Sequence, residues 1–200
     1  MNYKITQVKS LTLIDAVLPE INSKSLALLK NSLLVLSFSL LTALSAQIKV
    51  EIGPVPLTMQ TFFVLLSGAL LGSKKGAFSQ LVYLFGGLAG IPWFSRGGGI
   101  IYILSPSFGY IVGFVLAAFF TGLFCERGFD RQIKMAFLAI LVGNIILYIP
   151  GLLWLARFIG FEKVLAAGFY PFILGDLLKI SLIGAILPIS WNLIKRSHSI

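Results

Sequence analysis

Long apolar runs separated by short polar breaks set the pattern of this chain. Residues 31–48 carry no charge, and about 20 apolar residues suffice to cross a bilayer as a helix, so they predict a first span. Lys49, Glu51 and the extended Gly53-Pro54-Val55-Pro56 follow. Further spans are predicted at 57–72, ending in the tight turn Gly72-Ser73-Lys74-Lys75-Gly76, and at 77–94, ending after Ile91-Pro92. Arg96 and Gly97-Gly98-Gly99 then open a flexible loop through Pro106. The last three spans fall at 108–125, at 135–157 with Pro150 inside, and at 166–194, and the polar residues Glu126 to Lys134 separate the first two of them. The expected fold is all-α: a polytopic membrane protein with six transmembrane helices. Residues 1–24 form an N-terminal cytoplasmic or interfacial segment, and 25–196 form the membrane domain.

Charge supplies the orientation. With six spans, Lys4, Lys9, Lys24, Lys30, Lys74, Lys75, Arg127, Arg131, Lys134, Lys195 and Arg196 fall on the side of the termini. Lys49, Arg96, Arg157 and Lys163 fall on the other. Lys and Arg concentrate in cytoplasmic loops, so both termini are expected in the cytoplasm.

Composition narrows the class. The chain is 58% hydrophobic and 12% charged, about half the charged share of a soluble domain, which leaves no room for a separate soluble unit. A net charge of +9 reads here as topology signal and contact with anionic lipid rather than as affinity for nucleic acid. Cys125 and His198 stand alone in their types, so one chain cannot build a disulfide framework, a His/Cys metal site or a Cys–His catalytic pair. The N-terminal stretch is too broken by Asp15 and Glu20 to be a signal peptide. Leu11, Ile14, Leu18 and Ile21 suit one face of a short interfacial helix. The run from Gly68 to Lys75 resembles a phosphate-binding loop, but its spacing is wrong and it follows a membrane span rather than a strand.

Charged groups in hydrocarbon cost roughly 2.5–3.5 kcal/mol on insertion scales, so they face the protein interior or water. Span six holds Asp176 and Lys179, three apart and so on one helix face. Its inward course puts Asp176 in the outer half and Lys179 nearer the middle. Asn144 and Tyr148 share a face of span five. Thr58 and Gln60 open span two, Trp93, Ser95 and Arg96 close span three, and Tyr110 opens span four. Each alone has an ordinary explanation as helix cap, aromatic belt or interhelical bond. Together, at one depth, they outline an outward-opening pocket with aromatic walls and a few polar fixed points. Lys179 or Arg96 suits a carboxylate, and Asp176 and Asn144 suit the N–H and C=O of a urea-like or amide group. Small residues four apart on span one, Ser39 with Ala43 and Thr42 with Ala46, suit close helix packing inside the bundle or docking to another protein. Asp176 is the single acid deep in a span, so the pattern holds no chain of carboxylates, and a partner that hydrolyses ATP is a natural inference.

Several motifs occur in order. They are Pro54-Val-Pro-Leu-Thr58-Met-Gln60-Thr61, Gly68-Ala-Leu-Leu-Gly72-Ser-Lys-Lys-Gly76, and Tyr83-Leu-Phe-Gly-Gly-Leu-Ala-Gly90-Ile-Pro92-Trp-Phe94. Tyr148-Ile-Pro-Gly151-Leu-Leu-Trp154 and Tyr170-Pro171-Phe-Ile-Leu-Gly175-Asp176-Leu-Leu-Lys179 complete the series. Over about residues 40–190 the chain resembles the BioY family, the biotin-binding S components of energy-coupling factor (ECF) transporters. The resemblance implies a six-helix membrane protein that takes biotin from outside, with Asp176 and Lys179 at the biotin site. It also implies a transmembrane coupling subunit, met by the small residues of the first helix, and two cytoplasmic ATPases. It places the protein in the bacterial cytoplasmic membrane, with no cofactor beyond the transported biotin. The chain departs from the family pattern where Ser95-Arg96 precede Gly97, and where Ser105-Pro106-Ser107-Phe108-Gly109-Tyr110 replaces Gly-Pro-Thr-Gly-Gly-Tyr. Two alternatives remain: an S component for another vitamin, and an intramembrane enzyme using Asp176, which no second carboxylate, Ser–His pair or metal set supports.

Overall fold

The computed structural model describes residues 12–18 and 21–197. Leu11 of the expected interfacial face, Lys4, Lys9, Glu20 and His198 lie outside the described residues. Eight α-helices are present among those described: α1 Leu13–Val17, α2 Lys24–Ala46, α3 Gln60–Leu71, α4 Ser73–Leu88, α5 Phe108–Glu126, α6 Ile133–Ile159, α7 Phe161–Gly168 and α8 Ile173–Ser197. Strands β1 Lys49–Val50 and β2 Leu57–Thr58 pair antiparallel across the α2–α3 loop, Lys49 opposite Thr58.

Among the described residues, four stretches are long and apolar enough to cross a membrane: Lys24–Gln47, Phe108–Glu126, Ile133–Ile159 and Phe161–Arg196. Helices α3 and α4 occupy the expected second and third spans, but at 12 and 16 residues they fall short of that length. Helix α2 begins a turn or more before the charge-free run, because Lys24 and Lys30 end an apolar stretch without disfavouring helix. The sixth span is not continuous. It breaks after Gly168 into a 3-10 turn, Tyr170–Phe172, with Pro171 in its first positions. Asp176 therefore sits in the first turn of α8, where the helix dipole favours a carboxylate.

The outside of the bundle is apolar, and the inside combines an apolar core with sequestered polar groups. Leu174, Leu178, Leu182 and Leu193 of α8 are more than half exposed, while Ile183 and Leu187 are fully buried. Gln80, Thr42, Ser67, Ser79, Thr121, Asn144, Asp176 and Lys179 are buried as well. Gln80 Nε2 donates to Ser67 Oγ at 3.1 Å and to Thr42 Oγ1 at 3.4 Å, tying α4 to α3 and α2. The expectation that Ser39, Thr42, Ala43 and Ala46 face a partner subunit is corrected here. All four are buried within the chain, because small side chains let α2 close on its own neighbours, and leucines such as Leu33, Leu36, Leu40 and Leu44 point outward instead.

Two devices lock one end. The α3–α4 turn pivots on Gly72, with φ 85°, and the otherwise free Ser73 N–H at the start of α4 donates to Glu126 Oε1 at 2.7 Å. Trp191 Nε1 donates to Asp130 Oδ2 at 2.5 Å, and the Arg131 guanidinium lies 4.9 Å from the Trp191 ring centroid. Burial pushes the Asp130 carboxyl up, against the pull of the Trp191 hydrogen bond and the Arg131 charge. Lys75 holds Asp15 of the α1 segment at 3.0 Å. The first and last described residues thus lie at the same end of the bundle.

Helices α3, α4 and α5 meet through glycine. A Cβ on Gly68 would lie 2.2 Å from the Ala118 carbonyl oxygen, a backbone atom that cannot swing away. Gly68→Val should therefore cost roughly 1–3 kcal/mol or more, read as a lower melting temperature of the detergent-purified protein. Gly53→Ala, at a position with nothing within 4 Å of the added carbon, should leave the melting temperature unchanged.

Candidate functional site

The site begins with Asp176 and Lys179, one turn apart on α8 and nearly fully buried. Lys179 Nζ donates to the Thr58 carbonyl at 2.8 Å, to Thr61 Oγ1 at 2.8 Å and to Asp176 Oδ1 at 3.3 Å, which engages all three of its N–H groups. Asp176 Oδ2 accepts from Tyr148 OH at 2.5 Å and from Asn144 Nδ2 at 3.1 Å. Helices α3, α6 and α8 are thus joined through one acid and one amine.

These groups form one wall of a cavity with about 490 Å³ of unfilled space, its mouth included. Thr58, Gln60, Tyr110, Tyr148, Asp176 and Lys179 line it, as the spacing of polar residues predicts. Gln60 Nε2 donates to Tyr83 OH at 2.7 Å, and its Oε1 accepts from Thr58 Oγ1 at 3.0 Å. Tyr110 OH donates to the Gly168 carbonyl at 2.7 Å, fixing the ring beside Tyr148. Asn144 stands behind Asp176 rather than on the lining, and its Oδ1 has no partner among the described residues.

Besides Asn144, two expected residues do not reach the cavity. Trp93 packs its ring against Tyr83 and over Gly86, where a side chain would clash with it. Arg96 turns to Glu51, and donates to the Pro54 carbonyl at 3.0 Å and the Gly53 carbonyl at 3.2 Å. Lys49 reaches across to the Ser95 carbonyl. This clasp joins the β1–β2 loop to the loop after α4, and those loops supply Val55, Pro56 and Ser95 to the cavity. The hydrogen bond from Arg96, and then its charge, hold the Glu51 carboxyl below the usual carboxylate range.

Of the far wall, sequence reasoning reached only Ser95. Tyr102, from the 3-10 turn Ile100–Leu104, places its OH 3.1 Å from Ser95 Oγ and 3.1 Å from Ser107 Oγ. A lone tyrosine in an Ile/Leu loop run was the available signal. Thr61, one turn from Thr58, was visible only as spacing. Ile111, Phe114, Leu147 and Phe172 complete the apolar lining. No group of three or more His, Cys, Asp or Glu side chains stands close enough to hold a metal among the described residues.

The BioY family model matches residues 18–196. The chain belongs to the BioY family. A probable biotin transporter BioY from Pyrococcus horikoshii is 48% identical over 147 residues, spanning 73% of this chain and 86% of that one. The biotin transporter BioY of Thermotoga maritima is 36% identical over 146 residues, spanning 72% and 85%. A crystal structure of the S-component for biotin from an ECF-type ABC transporter superposes with a TM-score of 0.71 over 84% of this chain and 93% of its own. Its sequence identity is 22%, so that likeness speaks to the fold. Helix α1 lies upstream of the BioY match.

The clasp yields a test with a defined sign. A depressed carboxylate pKa stabilises the folded loops above the unfolded-state pKa, and that contribution is lost as pH falls through the folded value. Glu51→Gln should speed amide hydrogen exchange in residues 49–56 and 94–97 at neutral pH and leave α6 unchanged. The difference from wild type should close as pH drops through the Glu51 transition. Equal exchange at neutral pH would show that the clasp does not hold the loops.

Proposed function

We propose that this chain captures biotin from the outer side of the cytoplasmic membrane and serves as the substrate-binding component of an ECF-type vitamin transporter. Family membership and the named function of its relatives support the substrate. The observation that carries the site is the acid–amine pair on one wall of the cavity. A ureido ring presents N–H donors beside a C=O acceptor, which complements a carboxylate beside an ammonium. Asp176 keeps lone-pair capacity beyond its three present donors and takes the ureido N–H. Lys179 takes the carbonyl by exchanging one of its present acceptors. A carboxylate in that place would face the Asp176 charge, and Arg96 is engaged outside the cavity. The valerate carboxylate therefore belongs at the Ser95, Tyr102 and Ser107 hydroxyls, with the apolar chain along Phe114, Leu147 and Phe172.

The charge distribution supports the orientation. Lys74, Lys75, Arg127, Arg131, Lys134, Lys195 and Arg196 gather at the end opposite the cavity, so that end is cytoplasmic and the cavity opens outward. In this reading α2, α3, α4, α5, α6 and α8 make six crossings, with α3 and α4 the short ones, and both termini are cytoplasmic. The chain carries no nucleotide-binding motif, so energy comes from a coupling subunit and two ATPases.

Truncating one partner of a buried hydrogen-bonded charge pair costs roughly 2–5 kcal/mol. Asp176→Asn and Lys179→Ala should each weaken biotin binding by roughly 30-fold to over 1,000-fold in calorimetry, with the protein still monodisperse. Excess riboflavin or thiamine should leave bound biotin in place. Near-wild-type affinity in both variants would refute the site.

A further inference from the structure

Toward the basic end, away from the biotin cavity, α2 and α4 part to leave a groove. Leu28 and Val35 of α2 and Phe78 of α4 form its apolar walls. Val35 is buried, but Leu28 and Phe78 are 68% and 56% exposed. Asn31 and Ser32 of α2 and Lys74 and Lys75 of the first turn of α4 complete the lining. Among the described residues, the side chains of Asn31, Ser32 and Lys74 have no hydrogen-bond or ion-pair partner. Lys75 shares Asp15 at 3.0 Å, and that carboxylate also accepts from Thr12 Oγ1 at 2.7 Å.

We propose that this groove binds one anionic phospholipid, its phosphate against Lys74, Lys75, Asn31 and Ser32 and an acyl chain over Phe78 and Val35. The chemistry is two-sided. Two ammonium groups, an amide and a hydroxyl offer donors that suit a phosphate. The adjoining walls are hydrocarbon and call for a hydrocarbon occupant. A free phosphate would leave Phe78 and Leu28 uncovered. An apolar partner helix would press hydrocarbon onto the Lys74 ammonium. A phospholipid meets both demands, and basic pockets between helices at the cytoplasmic face suit acidic headgroups. The site stands apart from the biotin cavity and does not depend on its ligand.

The test uses the full chain in neutral detergent, titrated with phosphatidylglycerol or phosphatidylcholine and followed by native mass spectrometry. Wild type should retain one phosphatidylglycerol at concentrations where phosphatidylcholine is not retained. Lys74→Glu should weaken that retention roughly tenfold or more. Lys134→Glu makes the same charge change at the same end but outside the groove, and should leave retention nearly unchanged. Ser32→Asp, on the opposite wall, should reproduce the Lys74→Glu loss, and unchanged biotin affinity in all three variants reports an intact fold. Millimolar inorganic phosphate should not displace the lipid. Equal loss in Lys74→Glu and Lys134→Glu, equal retention of phosphatidylcholine, or displacement by inorganic phosphate would each overturn the proposal.

Discussion

Burying a carboxylate and an ammonium in an apolar bundle costs several kcal/mol per ion unless both find further partners. Asp176 and Lys179 find them on β2, α3 and α6: Thr58 and Thr61 accept from the amine, and Tyr148 and Asn144 donate to the acid. The requirement fixes much of the rest. Helix α3 must begin at Gln60 for Thr58 to turn its carbonyl inward. Helix α6 must present Asn144 and Tyr148 on one face. Helix α8 must start late enough to bring Asp176 into its first turn, which the break at Gly168–Pro171 achieves. Removing either ion strands the other, so the pair acts as a geometric lock.

An exterior of leucine and isoleucine matches lipid, so the driving force for packing must come from elsewhere. Within the bundle it comes from close approach and from shared polar groups. Gly68 and Gly76 let α3, α4 and α5 touch backbone to backbone. Gln80 gathers hydroxyls from α2, α3 and α4 into one buried knot. Thr42 is the α2 member of that knot, and Ser39, Ala43 and Ala46 are buried beside it within the chain. At the mouth the logic changes to exposed charge. Arg96, Glu51 and Lys49 tie two loops across the entrance, where water is near and ion pairs are cheap to make and to break.

The helical class and the core of the site were legible in the sequence because both rest on local pattern. Apolar length announced α2, α5 and α6. The three-residue spacing of Asp176 and Lys179 and the four-residue spacing of Asn144 and Tyr148 announced a polar face inside an apolar helix. What escaped depends on contacts distant in the chain. Arg96 read as a ligand group because its partner Glu51 lies 45 residues earlier. Trp93 read as a pocket wall because the bare backbone of Gly86, which receives it, carries no signal of its own. Tyr102 was hidden in a loop whose fold is set by Ser95 and Ser107 on either side. The break ahead of α8 was signalled by Gly168 and Pro171, but it lay inside a run hydrophobic enough to pass for one continuous span.

A structure of the protein with biotin bound tests the central claim most directly. The account predicts the ureido ring within hydrogen-bond distance of Asp176 and Lys179, the valerate carboxylate near Ser95 and Tyr102, and Arg96 still on Glu51. Biotin seated elsewhere, with the Asp176–Lys179 pair and its four supporting groups undisturbed, would contradict it.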